Sequence, residues 1–363
     1  MKAKVTRRVK VVTGFACNAD CIFCYYKDKL KSPNIPFHII KKDLDFAFRY
    51  GIREVDFSGG EPTIHPQLAD LIQYAKRKGF EKTSIITNGI VLANRGYYKG
   101  LADAGLDETL FSLQGWDDNS HDSFVNVKGS CKRMMAAIEN AADLGLKIRT
   151  NTVVHKKNYR DLGKICKLIV PFNPVQVNFI AVNDWQCAGK LFGNFACSYA
   201  EMSPCLKESC DFLSSYLENI NVRYIPFCMM LGYEKYVCDI MQIKYDPYEW
   251  LPWVRTMLEK HYRWYLVAGL IGYGLLTCQN HAQLFRSKFK DFLDDCIING
   301  IRKYGYRQNQ ECRSCRYQLI CDGLERTYAR LLGFKELKRV EGEKISTPYY
   351  FRTHLYSNGA HLG

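Results

Sequence analysis

Features that would place this protein in a secreted, membrane or disordered class are scarce in its sequence. The first eighteen residues, MKAKVTRRVKVVTGFACN, contain basic residues but no sustained apolar run, so they do not resemble a secretory signal peptide. The 363 residues contain no low-complexity segment and no long basic block. Because 24% of the chain is charged and 47% is apolar, disordered and fibrous classes are excluded. We therefore expect a folded, cytoplasmic protein.

One uncharged stretch has the length of a membrane span. Residues 264–285, WYLVAGLIGYGLLTCQNHAQLF, contain no charged side chain over 22 positions. The second half of the stretch is nevertheless polar, with a threonine, two glutamines, an asparagine and a histidine between Thr277 and Gln283. We therefore predict a buried helix or a pocket wall here, and no membrane span.

Cysteine is abundant, and positive charge is in excess. Without a secretory signal, the 16 cysteines indicate thiols and metal ligands and not a disulfide framework. The net charge of +14 comes from 51 Lys and Arg against 37 Asp and Glu, scattered along the chain. This charge permits a phosphate, carboxylate or nucleic-acid partner without demanding one. We expect a solvated surface and regard nucleic acid as an unlikely partner.

From about residue 9 to residue 180, short β-rich runs alternate with helical stretches of about three turns. This alternation predicts parallel βαβ units, and therefore an α/β fold with a partial barrel or an open sheet. In such folds the reactive groups lie at the carboxyl ends of the strands. Gly51, Gly79, Gly105 and Gly145 are predicted to end helices. The predicted strands are 9–14, 53–59, 82–89, 108–115, 146–154 and 175–182.

The pattern changes after about residue 200. A predicted helix, 205–220, leads to one more predicted strand, 221–228, and then to a stretch rich in tyrosine and tryptophan between residues 233 and 253. The aromatic side chains could line a substrate pocket, although core packing is the commoner role of such residues. We place a domain boundary near residue 205, which divides the chain into 1–205 and 206–363.

Three cysteines follow the first predicted strand directly. Cys17, Cys21 and Cys24 have the spacing Cys-x3-Cys-x2-Cys. A structural zinc site usually needs four ligands, and disulfides need pairs. A [4Fe–4S] cluster has four irons, each normally held by one thiolate, so three cysteines leave one iron open to a small molecule with an amine and a carboxylate. A zinc knuckle without its fourth ligand, or three unrelated thiols, is the alternative interpretation.

A glycine-rich motif, FSGGEPT at 57–63, follows the second predicted strand. Consecutive glycines allow a backbone to approach a ligand closely, and the carbonyl groups and Glu61 offer acceptors to an ammonium group. By itself the motif could be an ordinary turn. The cysteine motif and this motif, on successive strand ends, together resemble the radical S-adenosylmethionine (radical SAM) superfamily.

That resemblance implies a partial (β/α)6 barrel that binds a [4Fe–4S] cluster and S-adenosylmethionine. It further implies reductive cleavage to a 5′-deoxyadenosyl radical, which abstracts hydrogen from a substrate, and an external electron donor such as flavodoxin or ferredoxin. Chemistry of this kind belongs to the cofactor, while the protein binds and orients the reacting molecules and excludes water from them.

The resemblance also implies a set of cofactor-binding residues. Phe23, between the second and third cysteines, would pack on the adenine. Gln114 replaces an aspartate that is usual in relatives, and Val125 stands near the place of a missing arginine. Binding of the methionine carboxylate could therefore pass to Arg149 or Asn151. Turn chemistry at strand ends is the alternative role for Thr87, Asn88 and Ser112. The full set is Phe23, Ser58, Gly59, Gly60, Glu61, Pro62, Thr87, Asn88, Ser112 and Asn151.

A second cysteine group lies near the C-terminus. Cys312, Cys315 and Cys321 have the spacing Cys-x2-Cys-x5-Cys, which resembles the closing part of the SPASM/twitch auxiliary-cluster domains of the superfamily. Glu325 replaces the further cysteine of a full SPASM signature, so we expect one auxiliary [4Fe–4S] cluster. A four-cysteine zinc site is the alternative. For the fourth ligand we rank Cys228 first, then Cys278, then Cys238.

The substrate is the least constrained part of this interpretation. Only about sixteen residues precede Cys17, which leaves no room there for a leader-binding domain. This does not exclude a peptide substrate, because leader binding can be supplied in trans. One auxiliary cluster near the substrate favours oxidation of a radical intermediate, so we expect a small-molecule or natural-product substrate that undergoes oxidation, epimerisation, rearrangement or carbon–carbon bond formation. Modification of a peptide or protein side chain is the alternative, and RNA modification is a third. A non-enzymatic iron–sulfur module would leave the glycine motif without a purpose. His65 and His121 could be acid–base groups, but a lone histidine is usually structural.

Overall fold

The computed structural model describes residues 8–24, 26–27, 30–49, 51–182, 195–239, 302, 305–348 and 350–352. The stretch 264–285, the aromatic residues after 239 and Cys278 lie outside the described residues, so the expectations for them remain predictions. Within the described ranges, no helix combines the length and the apolar character that crossing a membrane requires.

Seven parallel strands form one sheet in which each strand pairs with the next along the chain, and the sheet curls into a half-barrel. The predicted α/β class and partial barrel are therefore confirmed, with one strand more than the six that were predicted for the barrel. The strands are β1 (Arg8–Val12), β2 (Glu54–Ser58), β3 (Lys82–Thr87), β4 (Glu108–Ser112), β5 (Lys147–Val154), β6 (Gln176–Ala181) and β7 (Ile220–Arg223).

The seventh strand differs from its prediction in length and in partner. The sequence predicted a strand over 221–228, but β7 ends at Arg223. Tyr224 has a φ of 63°, which a strand cannot contain, and Pro226 has no N–H to continue a ladder. β7 pairs with β6, so it belongs to the same sheet as the preceding strands. The division of the chain at residue 205 remains a prediction.

Helices connect the strands, and the expected glycines follow four of them. Gly51, Gly79, Gly105 and Gly145 all have positive φ, between 69° and 107°, as a left-handed helix end requires. The short helix α4 was not predicted; a capping box between Asp117 and Ser120 begins it. The helices are α1 (Phe37–Arg49), α2 (Leu68–Lys78), α3 (Arg95–Asp103), α4 (Asp118–Val125), α5 (Ser130–Asp143), α6 (Leu162–Ile169) and α7 (Tyr199–Ser214).

The two faces of the sheet have opposite character. Phe57, Ile85, Phe111 and Phe179 are fully buried and belong to the apolar core formed with the helices. Because successive side chains of a strand point to opposite faces, their neighbours in sequence face the concave side. Those neighbours are mostly polar or charged. The barrel interior is therefore a polar surface, and its charges need partners.

A buried ion network fills the interior at the amino ends of the strands. Arg8 lies 2.9 Å from carboxylate oxygens of Glu54, Asp56 and Glu108. Arg149 lies 2.7 Å from Asp56 and also contacts Glu108. Paired in this way, the buried charges compensate one another, whereas a single unpaired one would be strongly destabilising. The network therefore occupies the half-barrel at the amino ends of the strands, so a ligand site is expected at their carboxyl ends.

The C-terminal part packs against α7. It contains a short antiparallel pair, β8 (Tyr306–Arg307) and β9 (Leu324–Glu325), followed by helix α8 (Arg326–Leu332). Tyr328 of α8 stacks on Tyr199 of α7 with ring centroids 4.2 Å apart, and its hydroxyl oxygen accepts the Tyr199 N–H. This contact joins residues that are 129 positions apart in the sequence.

Candidate functional site

The three cysteines of the first motif lie on a loop that begins where β1 ends. The N–H of Cys17 donates to the Leu30 carbonyl at 3.1 Å, and the N–H of Ile22 donates to the Phe124 carbonyl at 3.0 Å. These bonds tie the loop to its own far end and to α4. Cys17, Cys21 and the segment between them are covered by a small apolar cluster made of Ala19, Ile90, Val125 and Val127.

The glycine motif lies directly against this cysteine loop. The Gly60 N–H donates to the Gly14 carbonyl and the Glu61 N–H donates to the Ala16 carbonyl, both at 2.8 Å. A Cβ atom added to Gly60 would lie 2.1 Å from the Ala16 oxygen, and one added to Gly59 would lie 2.1 Å from the Gly14 oxygen. The two glycines are therefore required by contact between two backbones, a reason that the sequence did not give.

Glu61 connects the glycine motif to the end of β3. Its carboxylate is 2% exposed and accepts four hydrogen bonds: from the N–H and the hydroxyl of Thr63, from the Thr87 hydroxyl and from the Asn88 N–H. Burial raises the pKa of Glu61, while these bonds oppose the shift. Glu61 therefore links the glycine motif to the end of β3 through hydrogen bonds from Thr87 and Asn88.

Asn88 extends the same connection to the first cysteine. Its side-chain NH₂ donates to Asn18 Oδ1 at 2.8 Å and lies 3.9 Å from Cys17 Sγ, and its Oδ1 accepts the Ile90 N–H at 3.0 Å. Three strand ends therefore meet at one place: the cysteine loop after β1, the glycine motif after β2 and the polar turn after β3.

The thiols of the loop have the surroundings of potential cluster ligands. The Ala19 N–H lies 3.4 Å from Cys17 Sγ and the Tyr26 N–H lies 3.4 Å from Cys24 Sγ. Burial raises the pKa of Cys17 to about 11 and that of Cys21 to about 12, and it raises that of Cys24 as well. The free thiols are thus protonated at neutral pH, so that binding iron as thiolates releases their protons. Three thiols on one loop, with backbone donors to sulfur, fit a [4Fe–4S] cluster with one open iron.

An aromatic group surrounds a histidine that sequence reasoning missed. His155, the first residue after β5, is fully buried among the rings of Phe23, Phe124 and Phe195, at centroid distances of 6.2, 4.7 and 5.7 Å. Burial lowers its pKa to about 4, so the ring is neutral. The only sequence signal was its place at a strand end. Phe23, the predicted adenine-packing residue, is half-buried beside this group.

The two histidines considered from the sequence have different surroundings. His65 Nε2 lies 3.0 Å from the Ile35 carbonyl and its Nδ1 accepts the Gln67 N–H, so both ring nitrogens have structural partners. His121 is fully buried, its Nδ1 accepts the Gln114 N–H at 3.3 Å, and burial lowers its pKa to about 4. These hydrogen bonds, and the burial of His121, favour a structural role for both histidines.

The remaining predicted residues lie on the strands of the sheet or in the turn after β2. Ser58 closes β2, where its carbonyl accepts the Thr13 N–H at 2.8 Å, and Pro62 is buried in the turn that follows. Ser112 and Asn151 are paired in register and half-buried. Arg149, considered as a carboxylate ligand, is committed to the ion network instead, because two acidic side chains and Ser84 already surround its guanidinium.

The second cysteine group also comes together, along with Cys228. The pKa of Cys228 is raised by burial and further by the nearby Cys312 and Cys315, and that of Cys321 is raised by burial and by Asp239 and Cys228. Backbone N–H groups of Lys338 and Val340 point at sulfur atoms of Cys228 and Cys315. Among the described residues, no three His, Cys, Asp or Glu side chains are placed to hold a single metal ion.

Comparison with known proteins supports the reading of the first 170 residues. Residues 11–169 match the model of the radical SAM superfamily. The chain is 30% identical over 167 residues to a probable GTP 3′,8-cyclase from Saccharolobus solfataricus, covering 44% of this chain and 52% of that protein. It is 32% identical over 155 residues to the Fe-coproporphyrin III synthase of Methanosarcina barkeri, covering 42% and 38%. The chain thus spans about half the length, or less, of these curated relatives.

A solved structure has the same fold. SuiB of Streptococcus suis, crystallised with S-adenosylmethionine, superposes with a TM-score of 0.52 at 17% identity, over 60% of this chain and 51% of that chain. At this identity the likeness concerns the fold alone. The half-barrel, the cysteine loop held by the glycine motif and the family match agree. Residues 11–169 are therefore similar to the radical SAM superfamily, over the range that its model matches.

Proposed function

We propose that this protein is a radical SAM enzyme that abstracts hydrogen from a small-molecule or natural-product substrate. The observation that carries the proposal is the contact between the cysteine loop and the glycine motif, which brings the ends of β1, β2 and β3 to one point. Cys17, Cys21 and Cys24 would hold a [4Fe–4S] cluster, which would supply the electron for reductive cleavage of S-adenosylmethionine to methionine and a 5′-deoxyadenosyl radical. An external donor such as flavodoxin or ferredoxin would provide that electron.

The residues of this chain would bind and orient the two cofactors. Cys17, Cys21 and Cys24 would hold the cluster, and the backbone from Ser58 to Pro62 would receive the amino group of S-adenosylmethionine. Phe23 would cover the adenine. Asn88 would act on the cluster ligand Cys17, because its NH₂ group already approaches that sulfur. The apolar residues around the loop would exclude water from the reacting atoms.

Ser112 and Asn151 would complete the site on the opposite wall. Their register places them side by side on β4 and β5, on the face of the sheet that Arg149 also occupies. With Arg149 held in the ion network, Asn151 is the better candidate for the methionine carboxylate. Its amide can donate two hydrogen bonds to such an acceptor.

We further propose one auxiliary [4Fe–4S] cluster of the SPASM/twitch kind, held by Cys228, Cys312, Cys315 and Cys321. Packing supports Cys228 as the fourth ligand, because the ring of its neighbour Phe227 lies 5.4 Å from that of Tyr317, and the four cysteines belong to or pack against one core cluster. Hydrogen bonds from backbone N–H groups to sulfur are among the factors that set the potential of a cluster. Lys338 and Val340 would contribute such bonds.

The names of the relatives support a small-molecule substrate. The two curated relatives, at 30% and 32% identity, are named for reactions of a nucleotide and of a porphyrin. The test is anaerobic reconstitution with reductant and S-adenosylmethionine, with 5′-deoxyadenosine measured against a panel of metabolites, peptides and tRNA. Stimulation by a metabolite supports the proposal. Stimulation by peptides or by tRNA alone would overturn its substrate class.

A further inference from the structure

A row of polar side chains crosses the concave face of the sheet from β4 to β7. Ser112 pairs in register with Asn151, Asn151 with Asn178, and Asn178 with Asn221. Arg149, two residues before Asn151, reaches Asp56 on β2, which it can do only across the concave side. Because alternate residues of a strand share a face, the row lines this side as well.

Asn178 is the centre of this row and uses all of its hydrogen-bonding capacity. Its NH₂ group donates to Asn151 Oδ1 at 2.6 Å and to the Thr150 carbonyl at 3.1 Å. Its Oδ1 accepts from Gln176 at 2.7 Å and from Asn221 at 2.8 Å. A carbonyl oxygen can only accept, so Thr150 fixes which end of the Asn178 amide is the donor. Asn178 is 4% exposed, and none of its polar positions remains for a ligand.

The far end of the row fixes the same direction independently. Arg352, 9% exposed, donates through Nη2 to Asn221 Oδ1 at 2.6 Å. A guanidinium has no acceptor, so Asn221 must turn its oxygen to Arg352 and its NH₂ group to Asn178. Donors therefore run in one direction along the row, from Arg352 through Asn221 and Asn178 to Asn151.

This direction determines which end of the Asn151 amide is free on the concave side of the sheet. Its Oδ1 is occupied by the hydrogen bond from Asn178, so its NH₂ group points away from β6. Within the part of the chain that the structure describes, no group accepts a hydrogen bond from that NH₂. A half-buried amide donor with no partner, beside Ser112, favours an oxygen acceptor on the ligand.

We propose that Asn178 is a positioning residue that holds Asn151 as a donor to the carboxylate of S-adenosylmethionine. Asn221 and Arg352 fix the orientation of the Asn178 amide through their hydrogen bonds. The inference rests on the proposed function, since it requires that cofactor. Asn178 touches no ligand atom; it acts by fixing which end of the Asn151 amide faces the cofactor.

A substitution of nearly equal size can reverse the direction of the hydrogen bond between Asn178 and Asn151. In Asn178→Asp the new carboxylate has no N–H, so Asn151 would turn its NH₂ group toward Asp and its oxygen toward the cofactor. Binding to the reconstituted full-length protein is measured anaerobically by equilibrium dialysis with two probes. One is S-adenosylmethionine, and the other is its decarboxylated form, which keeps the adenosine and the sulfonium but lacks the carboxylate.

We expect Asn178→Asp to weaken S-adenosylmethionine binding about tenfold, the loss of one hydrogen bond to a charged group, and to change binding of the decarboxylated probe less than twofold. Asn151→Asp keeps the bond from Asn178 and presents an oxygen directly, so it should give the same selective loss and serves if the first variant fails to fold. Equal losses for both probes, or no loss, overturn the inference. A wild-type protein that binds neither probe overturns the proposed function itself.

Discussion

The contact between Gly60 and the cysteine loop yields the sharpest prediction. Gly60→Ala places a Cβ atom 2.1 Å from the Ala16 oxygen and 2.5 Å from the Phe15 oxygen, where ordinary contacts begin at 3.4 Å. The Ala16 carbonyl must therefore retreat by more than about 1 Å, since both neighbours are backbone atoms that cannot rotate away. The carbonyl that retreats belongs to the residue immediately before Cys17.

The magnitude follows from what that movement breaks. The hydrogen bonds from Gly60 to Gly14 and from Glu61 to Ala16 are each worth about 1 kcal/mol. Overpacking adds about 1–3 kcal/mol, so the free energy of unfolding should fall by about 3–5 kcal/mol. Because Cys17 moves with the loop, reconstituted Gly60→Ala should also hold less iron than the wild type, even where it remains folded.

Gly100→Ala provides the matched control. Gly100 lies within α3, and a Cβ atom added there meets nothing within 4 Å. Alanine should leave stability unchanged or raise it by up to about 1 kcal/mol, because glycine is a poor helix former. Urea unfolding and a colorimetric iron assay on the three proteins make the comparison. If Gly60→Ala matches Gly100→Ala in both, the packing of the two motifs is not as described.

Three further predictions concern the supporting residues and the second cysteine group. Glu61→Gln should lower the free energy of unfolding in urea by about 2 kcal/mol, because the Asn88 N–H loses its acceptor. The control Glu139→Gln, at an exposed position, should change it by less than about 0.5 kcal/mol. Equal changes in the two variants would contradict this prediction. The pKa of His155 in the folded protein is about 4, below the ordinary 6.5, so the free energy of unfolding should fall as the pH drops from about 6.5 to 4. His155→Leu should reduce that loss by up to about 3 kcal/mol. An unchanged dependence of stability on pH in this variant would count against the prediction. In a variant without the first three cysteines the protein should remain brown, with Cys312→Ala removing the colour and Cys238→Ala retaining it; a colourless parent that contains stoichiometric zinc would refute the auxiliary cluster.

The pattern along the chain was sufficient to predict the first six strands and the places of the cysteine and glycine motifs after β1 and β2. The first six strands coincide with runs of alternating or apolar residues, and four helices are followed by the predicted glycines, which have positive φ. The two motifs follow β1 and β2, and parallel strands bring such ends together. These features depend on neighbours in sequence, which is why the sequence alone could predict them.

Contacts between distant strands were not predictable in the same way. The Asn178 centre depends on the register of β5, β6 and β7, and no local pattern specifies a register across three strands. Arg149 looked like a ligand because its partners, Asp56 and Glu108, lie 93 and 41 residues away in the sequence. The role of Gly60 was expected to involve the ligand, whereas its nearest neighbour is another backbone.

Cys228 illustrates a prediction whose argument was only partly right. It ranked first because it closed a predicted strand at 221–228, but β7 ends five residues earlier. Cys228 instead lies on a short turn, Phe227–Met229, whose Phe227 packs on Tyr317 with ring centroids 5.4 Å apart. That contact brings the turn to the segment that contains Cys315, so the residue lies near the group for a reason of tertiary packing.

Reductive cleavage of S-adenosylmethionine is the most direct test of whether Cys17, Cys21 and Cys24 hold the cluster of a radical SAM enzyme. The reconstituted protein is incubated anaerobically with dithionite and S-adenosylmethionine, and methionine and 5′-deoxyadenosine are quantified by mass spectrometry. We expect both products in equal amounts. A variant lacking Cys17, Cys21 and Cys24 should form neither product while retaining about half of the wild-type iron. Product formation by that variant at the wild-type rate would show that these cysteines do not hold the reactive cluster.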